Sequence, residues 1–323
     1  MENESLKLLD PPSQERLMGW LHEFYGKEVE VAERNLLRHR DLSLVERLHM
    51  RDALPETLIY KVVLPPWDVE QDLHERVLIP SISNSARLFL SGTCGQMIAL
   101  FMEDLGTQSL IGGTDQRTAN LIGTELAKMH RAYSYRIEEL EPLGILRTLR
   151  PGQYGKLASN LRASIDEWQL ASSADGQQLE TLGRHLDDQL SSERLSLVHG
   201  DLYAENIILR GGKFYIIDWS WFTTIGMPLL DLATLTSDHF KNGEDKSWQP
   251  VVLEAYCDEA GRDYQEVKKL LPASYTLSRL LFLDWLVERR RRGIMGTTVG
   301  PVDGVIANLV KEIAERAEKL LAA

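Results

Sequence analysis

The sequence has few cysteines, no excess of positive charge and no long apolar run, and each absence excludes a class of protein. Its two cysteines, Cys94 and Cys257, lie far apart in 323 residues and fit no metal-binding spacing. Neither a disulfide framework nor a cysteine-ligated metal is therefore expected. The formal net charge of −12 disfavours a general nucleic-acid-binding protein, which needs a basic surface for phosphates. This charge permits an electronegative pocket for a cationic substrate without establishing one.

The sequence also lacks a segment that would direct the chain to a membrane or across it. No apolar run approaches the ~20 residues that a bilayer-spanning helix requires. Residues 1–5 have neither the basic start nor the apolar stretch of a secretory signal. The sequence therefore predicts a cytoplasmic protein without a membrane partner. A chain of this length is expected to form two lobes or domains.

The most informative segment of the chain is the polar loop at residues 199–206, which reads HGDLYAEN. Short apolar runs precede and follow it, and this pattern predicts a strand, a polar loop and a second strand. In phosphoryl transfer to a hydroxyl group, an aspartate such as Asp201 can accept the proton of the attacking oxygen. Asn206, five residues later, can ligate magnesium through its side-chain oxygen. A polar hairpin whose Asp and Asn only form the turn is the alternative interpretation.

A second carboxylate follows at the end of the next apolar strand. Residues 214–219 read FYIIDW, so Asp218 comes directly after four apolar residues. An aspartate in this position is well placed to bridge a metal ion and the phosphates of a nucleotide. We expect the two adjacent loops to form one site.

Together the two motifs resemble those of the aminoglycoside phosphotransferase and choline kinase family of small-molecule kinases. The family signature is HGDxxxxN followed by a strand that ends in IDW or IDF, and both are intact here. The resemblance implies an α+β, two-lobe, protein-kinase-like fold, with a small mixed β N-lobe (1–103) and a larger, mainly helical C-lobe (104–323). It also implies a phosphotransferase that uses ATP or GTP and Mg²⁺ to modify a small-molecule hydroxyl acceptor. A nucleotide-binding pseudokinase module and a protein kinase are the alternatives.

Apolar periodicity predicts the elements of both lobes. A helix is expected between a Ser13 cap and Gly26. Strands are expected over Val29–Leu37, Leu42–Met50 and Thr57–Val63, then a helix after Pro65-Pro66, and two more strands near 86–90 and 97–102. In the larger lobe, helices are expected from Thr114 or Asp115 to about 133 and over 153–170, 175–191, 247–260, 264–292 and 303–322.

Lys61 stands in the third predicted strand, within an otherwise apolar sequence. A lysine is costly to bury unless it is paired, so such a position usually has a function. By resemblance, this lysine binds the α- and β-phosphates and pairs with a glutamate on the following helix. Glu75 is the first choice for that partner and Glu70 is the second. The alternatives are an exposed lysine on an edge strand and a surface acid at Glu75.

The resemblance further assigns adenine contacts to the segment between the lobes. Met102 would form a wall of the pocket, while Glu103 and Leu105 would offer a backbone oxygen and a backbone nitrogen. A simple strand followed by a turn would have the same sequence.

One feature departs from many kinase-like proteins, which cover the phosphates with a glycine-rich loop. No glycine occurs from residue 27 to 91. We hypothesise that Arg38 or Arg40 contacts the phosphates instead, through charge-assisted hydrogen bonds. An exposed basic turn is an equally good interpretation.

The remaining assignments concern the support of the loop and the acceptor. His199 is expected to hold the loop through backbone bonds, and Asp231, in a segment like the family's GxPxxDLA, to accept backbone N–H bonds from it. Aromatic and acidic residues would suit an ammonium acceptor; Tyr203, Trp219 and Trp221 flank the two loops, and Asp284, Trp285 and Glu288 lie on one long predicted helix. Singly, each is better explained as a core aromatic or a surface acid. Residues 289–292, RRRR, could bind an anionic acceptor but are better explained as a solvated helix end. The oligomeric state is not predicted.

Overall fold

The computed structural model describes residues 8–297 and 300–322, and its contacts divide the chain into two compact units. Unit 1 contains the residues up to Gln108 together with Ile208–Trp221, and unit 2 contains the rest. The predicted lobes were contiguous, whereas residues 208–221 return to the first unit. Hydrogen bonds explain this return, because the Leu209 N–H donates to the Gln108 carbonyl and the Ile216 N–H donates to the Asn84 carbonyl.

Unit 1 is built on a five-stranded sheet in the order β1-β2-β3-β5-β4, with antiparallel pairing throughout. Its strands are β1 (Glu30–His39), β2 (Ser43–Arg51), β3 (Thr57–Val63), β4 (Leu88–Cys94) and β5 (Met97–Glu103). The first three lie within two residues of their predicted bounds. Between β3 and β4 the chain forms short helical segments, which are α2 (Val69–Asp72), a π-helical turn (Leu73–Val77) and α3 (Pro80–Ser83).

A helix that covers this sheet, α1 (Gln14–Tyr25), begins and ends where its capping residues predict. Ser13 accepts a hydrogen bond from the Arg16 N–H, and Gly26 ends the helix in the left-handed conformation. The buried side of α1 includes Trp20, whose ring centre lies 6.1 Å from that of Phe101 on β5. This side of the sheet holds the apolar core of unit 1.

Unit 1 also receives the hairpin that follows the polar loop. Its strands are β8 (Ile207–Arg210) and β9 (Lys213–Ile216), joined by two glycines with positive φ, Gly211 and Gly212. Ile208 packs with Ala86 and Leu105 in a small apolar cluster.

Unit 2 is mainly helical, as predicted. Its helices are α4 (Gln116–Ser134), α5 (Ile137–Leu140), α6 (Tyr154–Trp168), α7 (Ser173–Gln189), α8 (Leu229–Leu235), α9 (Gln249–Ala260), α10 (Tyr264–Arg291) and α11 (Val302–Leu321). A three-stranded sheet in the order β6-β10-β7 and a two-stranded one complete the unit; the strands are β6 (Arg147–Thr148), β7 (Ser196–Val198), β10 (Thr224–Gly226), β11 (Gly296–Thr297) and β12 (Gly300–Pro301). Across the described ranges, no helix combines the length and apolar character needed to span a bilayer.

Candidate active site

Lys61 is the centre of a charged cluster inside unit 1. It lies on β3, the middle strand of the sheet, and only 5% of the residue is exposed. Its Nζ lies 2.6 Å from Glu70 Oε2 and 2.6 Å from Asp218 Oδ1. The exposed edge-strand interpretation is therefore wrong, and the cost of burying the lysine is offset by two carboxylates.

Asp218 is held in an unusual backbone conformation two residues after β9 ends. Its φ of 63° is left-handed, which is uncommon for a residue with a side chain and marks a constrained position. Besides Lys61, the carboxylate accepts hydrogen bonds from Arg38, with Nη1 3.2 Å from Oδ2 and Nη2 3.3 Å from Oδ1. One of the two arginines proposed for phosphate contact thus touches the proposed metal ligand.

The electrostatics of the cluster follow from two carboxylates sharing one lysine. Burial alone would raise the pKa of Asp218, but Arg38 and Lys61 together hold it well below its usual range. Burial would lower the pKa of Lys61, and the two carboxylates raise it instead. For Glu70, burial outweighs the attraction of Lys61 and raises the pKa to about 7. Asp218 is therefore ionised at neutral pH.

The structure corrects the first choice of partner for Lys61. Glu75 is exposed and accepts hydrogen bonds from Ser91 Oγ at 2.6 Å and from Gln71 Nε2 at 3.1 Å. Glu70, the second choice, is 1% exposed and forms the ion pair. Glu70 lies in α2, whereas Glu75 lies five residues later, inside the π-helical turn that follows α2.

The residues assigned to phosphate and adenine contacts lie in unit 1. Arg40 is exposed in the turn between β1 and β2. Met102 is buried on β5, Leu105 lies in the small apolar cluster, and the Glu103 N–H donates to the Arg87 carbonyl. Their contacts with a nucleotide stay a prediction.

The polar loop runs from β7 to β8, and a buried carboxylate of unit 2 accepts hydrogen bonds from its backbone. Asp231, in the first turn of α8, is fully buried; its Oδ2 accepts the His199 N–H at 3.0 Å and its Oδ1 accepts the Gly200 N–H at 2.9 Å. The backbone bonds expected from Asp231 are therefore present. His130 Nε2 lies 3.2 Å from the same carboxylate and fixes it from α4.

Gly200 occupies a position that no other residue could take without a shift. Its φ is 79°, and a Cβ there would lie 2.2 Å from the carbonyl oxygen of Phe222. The close approach and the left-handed backbone together require glycine.

Asn206, at the end of the polar loop, is hydrogen-bonded to Asp201 near its start. Its side-chain Nδ2 donates to the Asp201 carbonyl at 2.9 Å, and the residue is buried. Because this bond uses the nitrogen, the side-chain oxygen is the atom that could ligate a cation.

The Asp201 carboxylate, 27% exposed, has a partner that the sequence motifs did not indicate. Lys241 Nζ lies 3.3 Å from Asp201 Oδ2 and 2.9 Å from Glu205 Oε1. Lys241 stands 40 residues after Asp201, in a segment without a motif, so no sequence signal connects the two.

The proposed acceptor residues have different environments. Trp219 is fully buried in unit 1, and its indole N–H donates to the Ile216 carbonyl at 3.1 Å, which makes it a core residue and corrects its assignment to the acceptor. Trp221 is partly buried in the same unit. In unit 2, Tyr203 and Trp285 are buried, and Asp284 lines a cavity of about 530 Å³. Glu288 pairs with a neighbouring arginine on its own helix.

The donor set fits magnesium. Among the described residues, no group of three or more His, Cys, Asp or Glu is arranged to hold a metal ion. Magnesium does not need such a group, because it keeps several waters and takes one or two protein oxygens together with phosphate oxygens. An ionised Asp218 and the side-chain oxygen of Asn206 are donors of this kind.

Comparison with known sequences places these residues within a family match. A model of the phosphotransferase enzyme family matches residues 85–270, a range that includes the polar loop, Asp218 and Asp231. Protein LicA of Haemophilus influenzae is 25% identical over 99 residues. That stretch covers 29% of this chain and 36% of LicA, so the chain matches only about a third of its relative's length.

Solved structures share the fold at low sequence identity. The GDP complex of an aminoglycoside 2′-phosphotransferase has a TM-score of 0.64 at 12% identity, covering 96% of this chain and 98% of that one. A choline kinase of Cryptosporidium parvum has a TM-score of 0.62 at 11% identity, covering 96% and 97%. An ethanolamine kinase of Plasmodium vivax has a TM-score of 0.60 at 12% identity, covering 87% and 82%. The predicted protein-kinase-like fold class is confirmed. The family model spans more than half of the residues of this chain. The chain therefore belongs to the phosphotransferase enzyme family.

Proposed function

We propose that this protein transfers the γ-phosphoryl group of ATP or GTP, with Mg²⁺, to a hydroxyl group of a small molecule. The observation that carries the proposal is the ion-paired Lys61, whose ammonium lies 2.6 Å from both the Glu70 and the Asp218 carboxylates. In kinases, a strand lysine paired with a helix glutamate aligns the phosphates, and an aspartate after a strand holds magnesium. Family membership supports the reaction class, and the nucleotides named for similar folds, GDP and ADP, support the donor.

Asp201 is the proposed base. It would orient the acceptor hydroxyl and take its proton while the new oxygen–phosphorus bond forms and the bond to the β,γ-bridging oxygen breaks. The nucleoside diphosphate then leaves with that oxygen. Asp201 suits this role because its carboxylate is partly exposed, while Asn206 and Asp231 fix the loop around it.

Asn206 and Asp218 would hold Mg²⁺, which when bound neutralises charge on the phosphates. Lys61 would align the α- and β-phosphates, with Arg38 contributing a second cation. Met102, Glu103 and Leu105 would contact adenine. Catalysis would depend mainly on positioning and charge neutralisation, because phosphoryl transfer of this kind needs little covalent chemistry from the protein.

The test is nucleotide consumption with and without Mg²⁺ against a panel of aminoglycosides, amino alcohols, sugars and hydroxy acids. Asp201→Asn should lower acceptor-dependent turnover roughly 100-fold or more while nucleotide affinity stays within about twofold. Asp218→Ala should remove the magnesium-dependent signal. Wild-type turnover by Asp201→Asn with the true acceptor would refute its role. Tight nucleotide binding without turnover of any acceptor would favour a pseudokinase, and phosphorylation of generic protein substrates would favour a protein kinase.

A further inference from the structure

A lysine from another segment of unit 2, Lys241, lies against the polar loop. The Lys241 ammonium touches Asp201 and Glu205, and it also lies 4.9 Å from the centre of the Tyr203 ring, within cation–π distance. Burial alone would lower the pKa of Lys241, but Asp201 and Glu205 raise it. Lys241 is therefore positively charged at neutral pH, and 26% of its side chain remains exposed to an incoming molecule.

The turn that carries Lys241 is tied to the loop on its other side. Asn242, next in the chain, is fully buried; its Oδ1 accepts the Ala204 N–H at 2.9 Å and its Nδ2 donates to the Thr234 carbonyl at 2.8 Å. Gly243 closes the turn with a φ of 75°, and a Cβ there would lie 2.2 Å from the Ile111 carbonyl oxygen. The backbone that places the ammonium beside Asp201 is thus fixed by buried contacts.

A positively charged acceptor would need aromatic and acidic side chains that are already engaged by cations of unit 2. Lys241 lies beside the Tyr203 ring, and three further candidates also contact an arginine, one through its ring and two through ion pairs. The pairs are Trp285 with Arg289 at 4.8 Å, Asp284 with Arg147, and Glu288 with Arg292 at 2.8 Å.

We infer that Lys241 is a built-in counter-ion of Asp201, which positions the carboxylate and takes the place of a cationic acceptor, so that the acceptor is a hydroxyl compound without a positive charge. This inference rests on the proposed function, because it requires Asp201 to receive the acceptor hydroxyl. An ammonium group beside that hydroxyl would meet Lys241, and like charges at short distance repel. A carboxylate or phosphate on the acceptor would instead gain Lys241 as a partner.

The first measurement uses acceptors that share a carbon skeleton and differ in charge. The first series is glucosamine, glucose and gluconate. The second series is ethanolamine, ethylene glycol and glycolate. In the wild-type protein with Mg²⁺ and ATP, the kcat/KM of the acid should exceed that of the amine by about 10-fold or more. Lys241→Met should reduce or reverse that ratio by a similar factor, because the acid loses its partner and the amine is no longer repelled. A wild-type preference for the amine, or an unchanged ratio in the variant, would overturn the inference.

The second measurement tests the positioning of Asp201 without any acceptor besides water. Nucleotide hydrolysis by Lys241→Met should fall about 10-fold in kcat, at an unchanged KM for nucleotide, because a misplaced carboxylate does not weaken nucleotide binding. Lys241→Arg keeps the charge and should restore most of the rate. Lys246→Met is the matched control, since Lys246 is a nearby lysine whose partner, Asp238, is fully exposed.

The outcomes separate the inference from the function on which it rests. If no acceptor of either series is phosphorylated, the rate of nucleotide hydrolysis is the test. A Lys241→Met hydrolysis rate within twofold of the wild-type rate would then contradict the inference. Wild-type protein that neither binds nor hydrolyses nucleotide with Mg²⁺ rejects the proposed function instead. Lys241→Gln takes the place of Lys241→Met if circular dichroism shows that the methionine variant is unfolded.

Discussion

Lys61 has two carboxylate partners, Glu70 and Asp218, so a substitution at any one of the three should affect the other two. Removing one member of a buried ion pair usually costs about 3–5 kcal/mol, because the other charge is left without a partner. Here the lysine keeps Asp218 when Glu70 is changed. The effect at Glu70 should therefore be smaller than for an isolated pair, yet larger than at an exposed acid nearby.

The two candidate partners of Lys61 give a matched pair of variants. At pH 6, Glu70→Gln should lower the free energy of unfolding by about 1–3 kcal/mol, because the buried Lys61 loses the carboxyl group that Glu70 presents to it. Glu75→Gln should change it by less than about 0.5 kcal/mol, as expected of a surface substitution. Urea unfolding measures both values. Equal effects would mean that the choice between the glutamates is wrong.

The pH dependence of stability provides a second check on Glu70. Burial raises its pKa to about 7, above the value of ~4.3 in an unfolded chain. Between these values the folded state binds more protons than the unfolded state, so the contribution of Glu70 is present at low pH and declines as pH rises towards 7. The Glu70→Gln variant has no titrating group at this position, so its stability does not decline in this way. Its stability deficit relative to wild type should therefore narrow from pH 5 to pH 8 in urea unfolding, and a constant deficit would contradict the assignment.

At the scale of elements, the polar loop takes its shape from buried contacts on two sides. Asp231 on α8 binds the backbone at the start of the loop, and Asn242 binds the backbone at Ala204. A substitution that pushes the loop away from either contact should lower both the free energy of unfolding and the rate of nucleotide turnover.

Gly200→Ala tests this dependence, with Gly212→Ala as its control. Both glycines have positive φ, but only the Cβ at Gly200 would meet another atom, the Phe222 carbonyl oxygen at 2.2 Å. Gly212→Ala should cost about 1–2 kcal/mol of stability from backbone strain alone. Gly200→Ala should cost at least about 2 kcal/mol more and reduce nucleotide turnover. Urea unfolding and a hydrolysis assay measure these effects, and similar losses in both variants would contradict the proposed contact.

Sequence patterns predicted the elements where local chemistry decides them. Ser13 and Asp115 cap α1 and α4 at the expected places, because capping depends on neighbours within three residues. The partner of Lys61 was harder to predict, because the sequence predicts a helix there but not which of its two glutamates faces the β3 strand; the structure pairs Lys61 with Glu70. Lys241 could not be found from sequence, because its contact with Asp201 joins segments 40 residues apart that only tertiary packing brings together.

At the scale of the whole molecule, the proposed binding of nucleotide and magnesium can be measured by its effect on unfolding. A ligand that binds only the folded protein stabilises it by mass action.

Nucleotide with magnesium should therefore raise the free energy of unfolding by about 2.7 kcal/mol at a concentration 100-fold above Kd. Removing magnesium with a chelator should abolish most of the gain, and Asp218→Ala should abolish it likewise. Asp201→Asn should retain it, because Asp201 is proposed to act on the acceptor. Thermal unfolding with and without ligand measures the shift. A gain that survives in Asp218→Ala would remove this aspartate from the proposed metal site.

The cluster of Arg38, Lys61 and Asp218 has one further consequence, which concerns how a nucleotide would enter it. Asp218 already has two protein cations as partners, so the proposed binding of nucleotide and magnesium would exchange one set of ion pairs for another. In the proposed site, Arg38 and Lys61 would contact the phosphates, and Asp218 would hold Mg²⁺ in place of these two cations. Affinity then reflects the difference between two sets of ion pairs. A substitution that loosens Arg38 from Asp218 removes a contact and also frees a binding partner, so its effect on affinity can be far smaller than its effect on stability.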